Sequence, residues 1–188
     1  MSASVAYAHY QFTVADYHRL LETGVLNEDS HVELLNGEIL KMSPIGPRHA
    51  ACVDRLSEEL REQTKKIAIV RVQNPVELDD LSEPQPDVTL LKRREDFYAQ
   101  GHPQPDDIFL VVEVSDTTLE KDRQVKLPLY AQTGIGEVWL IDLPHDRIEV
   151  HSSPQNGVYQ EVLIVRRGQR VISKTMPKLS IKADDLLM

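Results

Sequence analysis

The sequence predicts one α/β domain spanning residues 1–188, built around a mixed β-sheet that is flanked by helices. The strongest single sign is the uninterrupted apolar run "IFLVVEV" at residues 108–114, which is typical of a central strand covered on both faces. The second sign is that helical and strand-like patterns alternate along the chain without a repeat, a low-complexity tract or a linker. We expect an N-terminal β-hairpin before this sheet and additional strands at the C-terminal end.

The N-terminal region is predicted to begin with an arm and a short helix. Residues 1–11 are expected to form a flexible or pairing arm. Within residues 12–24, Thr13 can cap a helix, Asp16 stands three positions later, and Gly24 can end it in a left-handed conformation. These positions predict a short, well-delimited helix.

A hairpin and a longer helix are predicted next. Asn36 and Gly37 join two apolar-rich runs, and this dipeptide favours the positive backbone angles of a type I′ turn. Residues 49–67 are predicted to be helical because their apolar residues fall on one stripe. That stripe consists of Val53, Leu56, Leu60 and Thr64.

The remaining chain supplies the rest of the sheet. Residues 92–107 are polar and contain Gly and Pro, so they are predicted to form a loop with at most one helical turn. A helix is expected from 119 to 133, ended by Gly134. Further strands are predicted at 67–78 (one or two strands), 87–91, 137–143, 146–153 and 158–165.

Composition restricts the possible functions. The net charge of −9, from 30 acids and 21 bases, argues against non-specific grip on DNA or an anionic membrane as the main activity. An enzyme that acts on nucleic acid through bound cations stays compatible with it. No apolar run is long enough to span a membrane, no signal-peptide pattern is present, and the single Cys52 excludes an internal disulfide. A cytoplasmic protein is expected.

One segment departs from the acidic balance. Its bases occur with no acid between them, and they are Arg166, Arg167, Arg170, Lys174, Lys178 and Lys182. A solvated face is the simpler interpretation. The alternative is a phosphate-facing patch in which the three arginines contact nucleic acid.

Familiar catalytic motifs are missing from the sequence. It has no G-x-S-x-G elbow, no G-x-x-x-x-G-K phosphate loop, no H-E-x-x-H zinc motif and no calcium-loop pattern. The 7 histidines are scattered without an i, i+4 pair. Each histidine taken alone is more typical of a surface or packing residue than of a metal ligand.

Two carboxylates stand at the ends of the most core-like strands. Asp87 begins one strand and Glu113 lies near the end of another, and a buried carboxylate requires a partner. If these strands are neighbours, both acids and the backbone carbonyl of Val114 can bind Mg²⁺ or Mn²⁺. Lys126, on the following helix, can then orient a water or neutralise phosphate charge. The alternative is a set of surface acids, with Lys126 in an i, i+4 pair with Asp122.

Several segments together resemble a known family. They are "VELLNGEI", a histidine soon after it, "QPDVTLL", "LVVEVSD", "DRQVKLPLYAQTGIGEVWLID" and a closing pair of strands. In this order they resemble the Uma-type family of restriction-endonuclease-like proteins, a branch of the PD-(D/E)XK nuclease superfamily, over residues 12–187. The resemblance implies a restriction-endonuclease-like fold. It also implies a Mg²⁺- or Mn²⁺-dependent endonuclease that hydrolyses phosphodiester bonds of nucleic acid, with DNA as the expected substrate.

The resemblance assigns roles to individual positions. Asp87, preceded by Pro86, matches the acid of the "PD" motif, and Glu113 matches the second metal ligand. The superfamily lysine usually follows this acid by two residues, where this chain has Ser115, but Lys126 matches the lysine of the Uma-type branch. Positions of second rank are Glu33, His49 and Ser115. Tyr130, Trp139 and Asp142 also belong to the family pattern and are equally compatible with packing.

One departure and two alternative functions accompany this assignment. Pro128 lies inside the helix that carries Lys126, where it removes a backbone hydrogen bond and can displace the lysine by a kink. A displaced lysine would favour a catalytically inactive binding or assembly module. An acid–base enzyme acting on a small substrate would instead need a closed pocket and a carboxyl with a raised pKa. Cleavage of both strands of a duplex needs two active sites or two visits by one site, and the first alternative leads us to expect a homodimer.

Overall fold

The computed structural model describes residues 9–187 and shows a six-stranded mixed sheet with helices on both faces. The helices are α1 (Val14–Glu22), α2 (Pro47–Gln63), α3 (Leu119–Lys121), α4 (Leu127–Gln132) and α5 (Ala183–Leu186). The strands are β1 (Val32–Leu35), β2 (Glu38–Lys41), β3 (Ala68–Val72), β4 (Val88–Lys92), β5 (Ile108–Ser115), β6 (Glu137–Asp142), β7 (Arg147–Gln155), β8 (Val158–Arg166), β9 (Arg170–Ile172) and β10 (Ser180–Lys182). Short 3₁₀ turns occupy Glu28–Ser30, Pro105–Asp107 and Leu143–His145.

The strands of the main sheet follow one another in chain order, from β3 to β8. All neighbouring pairs are antiparallel except β5 and β6, which are parallel and are connected through α3 and α4. Strand β5 lies inside the sheet, and seven of its eight residues are buried. The predicted fold class is therefore confirmed, including the hairpin β1–β2 and the C-terminal strands β7 and β8, whereas the short pair β9–β10 was not predicted.

Alternation along β5 divides the core into two layers. Val112 and Val114 face the layer that contains α2, whereas Val111 packs in the layer that contains α4. Because successive side chains point to opposite faces of a strand, Glu113 faces the α4 layer together with Val111. The chemistry of β5 is thus directed toward the helix that follows it.

The predicted N-terminal helix has the expected boundaries. Thr13 and Asp16 form a reciprocal capping box at the start of α1, and Gly24 adopts a φ of +74° after its end. Of the predicted arm 1–11, residues 1–8 lie outside the described residues. The side chain of Gln11 donates to the backbone oxygen of Asn36, so the end of this segment packs on the hairpin.

The hairpin turn has the predicted geometry. Asn36 and Gly37 have φ values of 51° and 78°, as a type I′ turn requires. Gly37 also approaches Gln11 so closely that a β-carbon there would lie 2.7 Å from the Gln11 β-carbon. A side chain at this position would therefore clash as well as strain the backbone.

The helix predicted from 119 to 133 is not continuous, which corrects that prediction. A π-helical turn, Asp122–Lys126, separates α3 from α4, and the Leu127 amide donates to the Asp122 carbonyl five residues earlier. Pro128 lies in the first turn of α4, where its missing N–H is least costly. The wider π turn absorbs the proline that would otherwise break a regular helix. Across residues 9–187, no helix combines the length and the apolar content needed to cross a membrane.

Candidate active site

A cleft of about 580 Å³ opens where the end of β5 meets the start of β4. Val88 pairs with Val112 across these antiparallel strands, which brings Asp87 and Glu113 to the same edge of the sheet. The hairpin, the start of α2 and the α3–α4 segment complete the walls. Five of the residues singled out in the sequence line this cleft, namely Glu33, His49, Asp87, Glu113 and Lys126.

Asp87 is held by hydrogen bonds to both of its oxygens. The Val114 amide donates to Oδ2 at 2.8 Å, and His49 Nε2 lies 3.0 Å from Oδ1. The hydrogen bond with Asp87 raises the pKa of His49 against the opposing effect of burial. The structure therefore shows the Val114 N–H in contact with Asp87, whereas metal binding by its carbonyl stays a prediction.

Glu113 is a deeply buried acid of the cleft, with 3% of its surface exposed. Its Oε1 accepts a hydrogen bond from the Tyr130 hydroxyl at 2.6 Å and lies 3.2 Å from Lys126 Nζ. Burial raises the pKa of Glu113 to about 8, and the nearby Asp122 and Asp87 act in the same direction while Lys126 opposes them. The carboxyl therefore favours its protonated form unless a further positive charge is present.

Lys126 bridges two acids from different parts of the chain. Its ammonium lies 3.2 Å from Glu33 Oε2 and 3.2 Å from Glu113 Oε1. Burial alone would lower the pKa of Lys126, but the two carboxylates raise it above its ordinary value, so the side chain is protonated. Pro128 does not withdraw the lysine, because the π turn delivers it to the cleft.

Glu33, on β1, extends the charge network. It accepts from Lys121 Nζ at 2.7 Å and from the Gln85 amide at 3.1 Å, in addition to its contact with Lys126. Burial would raise the pKa of Glu33, but Lys126 and Lys121 lower it below its ordinary value. Glu33 is consequently ionised, and it ties the hairpin to α3, which carries Lys121, and to the π turn, which carries Lys126.

Ser115 contributes to the site through another residue. Its hydroxyl donates to Asp122 Oδ2 at 2.8 Å, and Thr118 donates to the same oxygen at 2.6 Å. Asp122 in turn lines the cleft. The possible i, i+4 pair of Asp122 with Lys126 gives way to these contacts, because the π turn changes the helical spacing.

Three of the acidic and lysine residues that line the cleft were not assigned to it from the sequence, namely Lys121, Asp122 and Asp116. Asp116 was visible as a carboxylate directly after the β5 run. Lys121 had no local signal, since its partner Glu33 lies 88 positions away in the chain. Asp122 was interpreted through regular helical spacing, which the π turn removes.

The donor chemistry of the cleft fits a hard divalent cation. Its lining carries five carboxylates against two lysines, an excess of three negative charges when all are ionised. The carboxylates are Glu33, Asp87, Glu113, Asp116 and Asp122. Oxygen-rich sites of this kind suit Mg²⁺ and Mn²⁺.

The remaining candidate residues do not line this cleft. Arg167, in the connection between β8 and β9, pairs with Asp146 at 2.9 Å, and Arg170, the first residue of β9, donates to Ser180 at 2.8 Å. Neither they nor Arg166 line the cleft, and their contact with nucleic acid stays a prediction. Among the other family-pattern positions, Tyr130 supports Glu113, Trp139 is buried in the core, and Asp142 accepts from His145 and Arg147.

The mixed sheet with its preceding hairpin and following strands defines an α/β protein of nuclease-like fold. A crystal structure described as "a putative nuclease belonging to DUF820" from Anabaena variabilis is similar to it, with a TM-score of 0.73 and 17% sequence identity. The match covers 93% of this chain and 97% of that one. The profile of the Uma2 family, described as "Putative restriction endonuclease", matches residues 14–184. The chain therefore belongs to the Uma2 family, as the resemblance predicted, while comparison with curated proteins finds no match.

Proposed function

We propose that the chain is a metal-dependent endonuclease that hydrolyses phosphodiester bonds of DNA, with the whole chain forming one nuclease domain. The observation that carries this proposal is the meeting of Asp87, Glu113 and Lys126 in one cleft. These residues come from the start of β4, the end of β5 and the π turn. Membership of the Uma2 family supports the reaction class.

Asp87 and Glu113, with the Val114 carbonyl, would hold Mg²⁺ or Mn²⁺. When bound, such an ion lowers the pKa of an attacking water and stabilises charge that develops on the phosphodiester. The Val114 amide and His49 orient Asp87 through its two oxygens. The Tyr130 hydroxyl orients Glu113 in the same way.

Lys126 would act on the substrate as a protonated donor. Its ammonium is held in place by Glu33 and Glu113 and lines the cleft, where it could donate to a phosphate oxygen or to the attacking water. Glu33 would then serve as a positioning residue for Lys126. Ser115 would have no direct contact with the substrate and would act by orienting Asp122.

The raised pKa of Glu113 also satisfies one requirement of an acid–base enzyme that acts on a small substrate. In that case the carboxyl itself would transfer a proton, and activity would persist without a divalent ion. Dependence on the ion therefore separates the two functions. The excess of carboxylates around Glu113 favours the metal-dependent one.

The first test is a calorimetric titration of Mn²⁺ into the wild-type chain and into Glu113→Gln and Asp87→Asn. Glu120→Gln is a matched control, since this side chain is 73% exposed and lies near the cleft on α3. We expect one or two ions to bind the wild type and the control, and binding to be lost in both ligand variants. A wild type that binds Mn²⁺ neither alone nor with DNA would favour the inactive binding module.

Cleavage of plasmid DNA tests the reaction itself. Lys126→Met keeps the volume of the side chain and should retain Mn²⁺ binding while lowering turnover by about 10²–10³-fold, the usual effect of removing one transition-state donor. Equal cleavage by wild type and Lys126→Met would refute the role of the lysine. Equal wild-type cleavage with and without EDTA would refute metal dependence.

The proposal includes a DNA-facing surface and a twofold dimer. Replacing Arg166, Arg167 or Arg170 by Ala should each weaken DNA binding and reduce its salt dependence by about one released counterion, if the arginine contacts a phosphate. Light scattering measures the assembly, and a homodimer would give twice the 21.4 kDa of one chain. A particle of 21.4 kDa at assay concentrations would exclude the dimer.

A further inference from the structure

A second cavity, of about 530 Å³, lies beside the active-site cleft. The two share His31, Met42 and Gln85 in their walls. Its lining also contains His18, Glu83 and His102, which have no part in the proposed nuclease chemistry.

These three residues come from separate parts of the chain. His18 lies on α1, Glu83 lies between β3 and β4, and His102 belongs to the loop before β5. One ligand atom from each lies within 4.8 Å of the other two, and His18 Nε2 is 2.7 Å from Glu83 Oε2. Within residues 9–187 this is the one group of three His, Cys, Asp or Glu residues with such spacing.

The carboxylate at the centre of this group is firmly positioned. The Glu83 side chain is only 3% exposed, and its backbone amide donates to the Leu34 carbonyl at 2.8 Å. Burial raises the pKa of Glu83, while His18 and His102 oppose that effect, so positive charge stabilises its ionised form. The ring of His102 contacts the ring of His18 edge to face, with centroids 6.1 Å apart. In the part of the chain that the structure describes, His102 makes no side-chain hydrogen bond, which leaves its nitrogens available for coordination.

We propose that His18, Glu83 and His102 form a zinc site. Two imidazoles and one carboxylate are a donor set that Zn²⁺ binds, with the fourth position left to water, and here that position opens on the cavity. The nitrogen ligands distinguish this site from the active-site cleft, where oxygen donors predominate and suit Mg²⁺ or Mn²⁺. Bonds of about 2.1 Å in a tetrahedral site put ligand atoms about 3.4 Å apart. Binding therefore requires the widest pair, now within 4.8 Å, to approach by up to about 1.4 Å, and His18 Nε2 and Glu83 Oε2, now 2.7 Å apart, to separate by about 0.7 Å.

A bound zinc ion would join α1, the segment before β4 and the loop before β5. Gln85, two residues beyond Glu83, donates through its amide to Glu33 in the active-site cleft. The zinc site and the cleft therefore hold the same short stretch of backbone. Zinc binding is nonetheless independent of the proposed nuclease activity, since none of the three ligands belongs to the cleft.

The test is a calorimetric titration of Zn²⁺ into the EDTA-stripped and dialysed full chain, repeated with Co²⁺ to follow visible absorption. We expect one Zn²⁺ per chain and a visible absorption spectrum typical of tetrahedral Co²⁺. His18→Ala and His102→Ala should each weaken zinc affinity at least ~10-fold, because mutation of residues that only orient metal ligands already costs that much. His145→Ala is the matched control, because this histidine is 60% exposed, lies in the 3₁₀ turn after β6 and lines neither cavity. Asp87→Asn disables the proposed Mn²⁺ site and should bind Zn²⁺ as the wild type does.

Three results would overturn the proposal. The first is that the wild type binds no zinc, and the second is that His102→Ala binds zinc with wild-type affinity. The third is that Asp87→Asn loses zinc binding, which would assign the ion to the active-site cleft. His102→Gln provides a second variant in case His102→Ala fails to fold, and thermal unfolding of each variant without zinc checks this. Failure of Mn²⁺ binding with retained Zn²⁺ binding would refute the proposed nuclease site alone.

Discussion

Glu113 should make the stability of the metal-free protein depend on pH in an unusual direction. Burial raises its pKa from an ordinary value of 4.5 to about 8 in the folded state. Between these two values the folded protein holds a proton on Glu113 that the unfolded chain has released. The free energy of unfolding therefore falls as the pH rises through this window.

The size of this effect follows from the pKa difference. One pKa unit corresponds to about 1.36 kcal/mol, so the full window from pH 4.5 to about 8 amounts to about 5 kcal/mol. That is a substantial part of the stability of an ordinary domain. Solvent screens this charge little, because Glu113 is only 3% exposed.

Urea unfolding in EDTA at a series of pH values measures this effect. Glu113→Gln keeps the shape of the side chain but carries no titrating group, so the stability difference between variant and wild type should move in favour of the variant by about 5 kcal/mol across the window. Contributions from other titrating groups, including His49, cancel in this difference to first order. Parallel pH profiles for the two proteins would refute the reasoning, and would show that Lys126 keeps Glu113 ionised at every pH tested.

Three further outcomes are expected from the same network. The apparent affinity for Mn²⁺ should fall by about tenfold per pH unit below pH 8, because the ion competes with the proton on Glu113; pH-independent titrations would contradict this. Tyr130→Phe removes the 2.6 Å hydrogen bond to Glu113 and should weaken Mn²⁺ binding by about 10–100-fold, with wild-type affinity as the contrary result. Lys126→Met removes one positive partner of the buried, ionised Glu33, and should lower the free energy of unfolding at pH 7, measured with urea, by about 3–5 kcal/mol; an unchanged value would show that Lys121 alone is a sufficient partner for Glu33.

The regular elements could be predicted from the sequence because their determinants are local. Asn36 and Gly37 permit a type I′ turn wherever they occur between two strands, and Thr13 with Asp16 caps a helix through backbone groups three residues away. The run at 108–114 predicted a central strand because only a strand covered on both faces can bury it. These signals do not depend on knowing the partner of each strand.

The π turn could not be predicted in the same way. Pro128 indicated a disturbed helix, but whether the helix kinks, ends or widens into a π turn depends on the residues that pack beside it. Lys126 gains two buried carboxylates, Glu33 and Glu113, when the turn widens. A contact between residues so far apart in sequence is absent from any local pattern.

The residues of the candidate site also fall into those that local sequence indicates and those that only tertiary contacts bring in. By residue type and position alone, the sequence determined that Asp87 and Glu113 stand at strand ends and that a lysine follows on a helix. The family resemblance also implied Glu33. Only the tertiary structure decided that Glu33 contacts Lys126, that Lys121 joins the site, that Ser115 acts through Asp122, and that His18 meets His102 beside the cleft. The physical reason is that propensity and periodicity act over a few residues, whereas charge pairing and metal coordination act through space. Such contacts exist only after the chain has brought distant segments within a few ångströms of one another.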